Sequence, residues 1–150
     1  MRARRAARER LLWGLYVYQI TGQWGPAEEL RVHFDEVDPL VAGLVDEAYV
    51  EELDRTLRSN LDEIDTLIGQ ASRNWRIDRM AAVDLSLLRL ATAELLLDLA
   101  PPRVVVNEAV ELGKRYGTGT SSTFVNGVLD GILRALRAQP ELNPFRPSEP

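Results

Sequence analysis

Residues 80–99, "MAAVDLSLLRLATAELLLDL", constrain the fold more than any other stretch. Met80, Val83, Leu85, Leu87, Leu88, Leu90, Leu95, Leu96 and Leu97 place apolar groups nearly all round one helix. A helix apolar on every side belongs at the centre of a bundle, with other helices against each of its faces. Asp84, Arg89, Glu94 and Asp98 interrupt the run, which argues against a bilayer span, and the prolines at 101 and 102 stop it. Asp78, in the junction "NWRIDRM" (74–80), stands where an N-cap for this helix is expected.

The remaining chain supplies amphipathic partners. A first helix is predicted over about residues 3–20, ending at "TGQWGP" with its two glycines and proline. A short helical piece is expected within 27–35. Asp38 and Pro39 then suit the N-cap and first position of a helix running to about 50–52. Leu53, Leu57, Leu61, Ile64 and Ile68 predict another to about residue 71. In "VVVNEAVELGKRYG" (104–117), Val106, Ala109, Val110 and Gly113 favour a helix over a strand, with Lys114 and Arg115 in its last turn and Gly117 closing it. After "GTGTSST", a helix-capping loop, Val125, Val128, Leu129, Ile132 and Leu136 line one face of a last helix. The tail 138–150 is rich in proline and is expected to be disordered. No strand pattern and no internal repeat emerges, so the reading is all-α in one domain, 1–137.

Charge is distributed unevenly. Residues 1–10 carry five arginines and one glutamate, +4 in a chain whose net charge is −5, so the other 140 residues carry −9. Extending the Leu11, Leu12, Leu15 and Tyr18 stripe backwards puts Arg4 and Arg8 where a packed helix would be apolar. The first two turns are therefore expected to project past the core and to fray, since cations oppose the dipole at a helix N-terminus and like charges at i, i+4 repel. A solvated basic tail and a polyanion site explain the charge run equally well on composition alone.

The other constellations are weaker. Phe124 lies off the apolar stripe of the last helix; core packing is the first reading and a base-stacking platform the second. Gly127 and Gly131 read as helix–helix packing, and Asn126 and Asp130 as a solvated face. "GTGTSS" lacks the ending of a phosphate loop. His33, the single histidine, has no evident catalytic partner. The acidic clusters at 51–54 and 62–65 lack a second ligand type for a metal, so neither catalysis nor a cofactor is expected. There is no cysteine, which removes disulfides and thiolate chemistry and fits a reducing cytoplasm, the expected location.

Four motifs together resemble the bacterial NusB antitermination factors over about residues 2–137: "RRAARE" with "LYVYQ", "NWRIDRM" leading to "LLRLATAEL", "PPRVVVNEAVELGKRYG", and "SSTFVNGVLD". The resemblance implies an all-helical bundle of about seven helices in two subdomains, about 1–72 and 75–137. It implies a non-catalytic adaptor that binds boxA of nascent ribosomal RNA with the ribosomal protein NusE and links both to RNA polymerase, without a membrane. Arg4, Arg5 and Arg8 match the basic RNA-binding motif, with Arg2 counted beside them. Tyr16 and Gln19 match the first-helix motif, and Phe124, Asn126 and Asp130 the last, near the RNA path. Arg89 and Glu94 match the central helix, whose neighbourhood supplies part of the ribosomal-protein contact. Monomer and homodimer both stay open. The rival reading is a protein–protein adaptor with a non-specific basic tail. A ribosomal RNA methyltransferase role is rejected, because the chain is short and lacks the nucleophilic cysteine.

Overall fold

The computed structural model describes residues 2–24, 45–73 and 75–145. The expected helical piece at 27–35, the Asp38–Pro39 helix start and His33 lie outside them. The described residues form five α-helices: α1 (Arg2–Thr21), α2 (Glu47–Ala71), α3 (Ala82–Leu97), α4 (Pro102–Tyr116) and α5 (Ser121–Ala138). Two short 3-10 turns, Ile77–Arg79 and Pro140–Leu142, accompany them. The expected number of about seven helices is thus not matched; five are counted among the described residues.

The apolar run does take the centre. All residues from Asp84 to Leu96 are buried, and α3 packs against α1, α2, α4 and α5. Leu11, Leu12 and Leu15 of α1, Leu53, Leu57, Ile64 and Ile68 of α2, and Val125, Val128, Leu129 and Ile132 of α5 close on it. At about 1.5–3 kcal/mol for each fully buried large aliphatic side chain, this shared core is the main source of stability.

Local chemistry sets the helix ends. Asp46 caps α2, its Oδ1 accepting the Tyr49 N–H at 3.1 Å. The break predicted near residue 52 falls instead at Asn60, whose backbone leaves helical geometry while its amide donates to the Thr56 carbonyl at 3.1 Å. Asp78 does not cap α3: it sits in the 3-10 turn and pairs with Arg76, and extended backbone at Met80 and Ala81 separates it from the helix start. Asp98 ends α3 in the left-handed region at φ 53°. Gly117 ends α4 as expected, because a Cβ there would overlap the Ser121 side chain.

Two further expectations need correction. The tail is docked as far as Asn143: Leu142 packs against the core and Asn143 donates to the Leu96 carbonyl at 3.0 Å. On α4 the buried face is Val105, Glu108, Ala109, Leu112 and Gly113, turned by about one residue from the predicted stripe. That rotation carries Glu108 inward.

Candidate nucleic-acid interface

The first two turns of α1 do pack, against expectation. Ala6 and Ala7 are buried, and so is Arg8, at 4% exposure. Acids from three other helices explain the reversal. Arg8 Nε donates to Glu94 Oε1 of α3 at 2.8 Å and its Nη2 to the Tyr49 hydroxyl of α2 at 3.3 Å. Tyr49 in turn donates to the same Glu94 oxygen. Arg5 grips Glu108 of α4 with two hydrogen bonds of 3.1 and 2.9 Å. Arg10 Nη1 meets Glu47 at 2.8 and 3.0 Å, and Arg115 of α4 reaches back to Glu9 at 2.7 Å. A dipole cost of about 0.3–1 kcal/mol per cation is smaller than the penalty of leaving a buried acid unpaired, about 3–5 kcal/mol. The helix therefore runs intact from Arg2.

Burial and pairing tune these groups in opposite directions. Burial pushes the Glu94 carboxyl above the ordinary range, against the pull of Arg8 and Tyr49. Tyr49 is raised as well, first by burial and then by the neighbouring carboxylate. Glu108 is held below the ordinary range, chiefly by its hydrogen bond from Arg5.

A second lock lies further along α1. Arg89, buried in α3, holds Asp65 of α2 through two bonds of 2.9 Å and donates from Nη1 to Gln19 Oε1 at 2.8 Å. Its guanidinium also lies 5.7 Å from the Tyr18 ring centre. Gln19 and Arg89 are thus brought together, but inside the fold. Tyr16 is half-buried beside Trp13, ring centres 6.4 Å apart.

Of the predicted site residues, Arg4 and Arg5 offer charge to solvent, their side chains 45% and 55% exposed. Arg4 donates to the Leu99 carbonyl at 3.0 Å and lies over the Tyr49 ring. Arg8 does not project. Arg89 and Glu94 are satisfied internally, so neither side chain presents itself to a protein partner. Asn126 and Asp130 are exposed, Asp130 pairing with Arg134 at 3.0 Å. Phe124 is half-buried, its ring edge-on to the exposed Trp75 at 6.0 Å. Gly131 packs against Ala71, but a Cβ at Gly127 would meet nothing within 4 Å, which corrects the close packing assigned to it.

Sequence reasoning missed Tyr49, Glu108, Asp65 and the exposure of Trp75. A signal existed for the acids: arginine on the apolar stripe of α1 and glutamate on an all-apolar α3 are complementary oddities. None existed for Trp75, since exposure of an aromatic has no periodic signature.

Comparison with known proteins agrees over most of the chain. The NusB family profile matches residues 5–134. A transcription antitermination protein NusB of Salinibacter ruber is 44% identical over 149 residues, covering 95% of this chain and 88% of that protein. The solved NusB of T. maritima superposes with a TM-score of 0.72 at 34% identity, covering 87% of this chain and 90% of that one. A crystal structure of antitermination factors NusB and NusE in complex with dsRNA contains a chain with a TM-score of 0.74 and 32% identity, covering 90% and 98%.

Proposed function

This chain belongs to the NusB family, and from that premise we propose that it is a non-catalytic RNA-binding adaptor in transcription antitermination. It takes up boxA of nascent ribosomal RNA together with NusE and links the pair to RNA polymerase. The observation that carries this reading is the α1 edge where Arg4 and Arg5 are anchored yet half exposed. Guanidiniums held on one side and open on the other meet phosphate without first losing side-chain freedom. The likeness to a chain solved with NusE and dsRNA supports the same reading.

Arg2, Arg4 and Arg5 supply phosphate contacts, and Phe124 and Asn126 lie along the RNA path. Arg8 acts from inside, by pinning the helix that carries the others. A filter-binding titration of boxA and scrambled RNA, with NusE present, tests this. With about four phosphates neutralised, log K against log salt slopes near −3 on a single strand. Arg4→Ala with Arg5→Ala weakens binding and flattens the slope. Equal affinity for both RNAs refutes the reading and favours a protein–protein adaptor, which the internal pairing of Arg5 and Arg8 would suit.

A further inference from the structure

Trp75 is 57% exposed, an unusual position for the largest apolar side chain. Its ring meets the half-buried Phe124 edge-on, so one aromatic supports the other and leaves a face open. Arg73 and Arg76 flank it. Arg73 is exposed and makes no hydrogen bond or ion pair among the described residues. The pair of Arg76 with Asp78 is exposed on both sides, and exposed pairs exchange partners at little cost.

From Arg73 a groove of about 500 Å3 continues between α2 and α5, lined by Gln70, Gly127, Gly131 and Arg134. Gly127 is the telling residue. It stands exposed inside a helix, without positive φ, and a Cβ there would meet nothing within 4 Å. Neither packing nor backbone conformation explains a residue that weakens a helix. A ligand that runs close to the backbone does.

We propose that Trp75 is a base-stacking platform and that the α2–α5 groove carries the adjoining stretch of a single-stranded RNA, with its phosphates on Arg73 and Arg134. Arg134 is held only by a solvent-exposed pair with Asp130, and an open aromatic face beside the unpaired Arg73 and such an exchangeable arginine is the combination single strands use, stacking for the bases and cations for the backbone. The inference rests on the reading that the chain binds RNA, and it adds a second contact region to the α1 edge.

The test uses the full chain and single-stranded boxA RNA, with NusE present and its own binding followed, in a filter-binding salt series, with thermal melts alongside. Trp75→Ala is expected to weaken binding about 5- to 140-fold, the loss of one stacked base, while Trp75→Phe retains most of the affinity. Arg73→Ala reduces the salt slope by about 0.7. Gly127→Ala melts at a higher temperature than the parent yet binds RNA more weakly, a combination that no folding defect produces. If Trp75→Ala binds as the parent does while Arg4→Ala with Arg5→Ala is impaired, the inference falls and the RNA reading stands. If the parent binds no RNA, both fall. If Trp75→Ala loses NusE but not RNA, the face belongs to a protein and the inference is overturned.

Discussion

Replacing Arg8 by alanine separates the two accounts of α1 directly. In the fold, its guanidinium and the Glu94 carboxylate are 5% and 2% exposed and 2.8 Å apart. Removing one member of such a pair costs about 3–5 kcal/mol. Tyr49 stays on Glu94, so the lower end applies: about 3 kcal/mol, or a fall of about 6–12 °C in melting temperature for a domain this size. The loss depends on pH in a definite direction. Burial already raises the Glu94 carboxyl, and Arg8 is the largest influence opposing it. Without Arg8 the folded-state value rises further above the unfolded one, near 4.3. A group raised in the folded state favours folding when protonated, and that contribution is lost as pH climbs towards the folded-state value. Urea denaturation at pH 5 and pH 8 should therefore show the deficit of Arg8→Ala widening at the higher pH. Arg8→Met with Glu94→Gln removes both charges and keeps a partner for Tyr49, and should lie within about 1 kcal/mol of the parent. A cost below about 1 kcal/mol for Arg8→Ala at both pH values would refute the reasoning and return Arg8 to solvent.

Glu108 should behave in the opposite sense. Its carboxyl is depressed by Arg5, so its contribution is complete above the unfolded value and lost as pH falls through the folded one; with Arg5 half exposed it amounts to about 1 kcal/mol. Glu108→Gln lacks that increment at pH 7 and shows a shallower acid-range fall in denaturant midpoint. Asp98, exposed and left-handed at the end of α3, invites Asp98→Gly, expected to stabilise by about 1 kcal/mol and to raise the melting temperature by about 2–4 °C.

Apolar spacing carried most of the fold. Leu11, Leu12 and Leu15, the run at 80–99, and Val125 to Ile132 each led to the helix and the face that the structure shows. Spacing failed where charge is buried. Arg8 and Arg89 occupy core positions because Glu94 and Asp65 meet them there, 86 and 24 residues away along the chain. A register argument treats each helix alone and reads such an arginine as misplaced. The one-residue rotation of α4 has the same origin, since it brings Glu108 to Arg5. Exposure of Trp75 and the open space at Gly127 depend on how α2 and α5 meet, which no local pattern encodes.

The stitching of α1 also has a consequence in time. Its arginines leave the ribosome ahead of their partners: Glu94 follows Arg8 by 86 residues and Glu108 follows Arg5 by 103. Chains fold as they are made, from the N-terminus onward, and contacts so distant form late. Glu47 can meet Arg10 early, but Arg8 and Arg5 wait for Glu94 and Glu108 in the later part of the chain. A helix made before its partners is thus locked late, and the α1 edge acquires an anchored Arg5 only when α4 arrives.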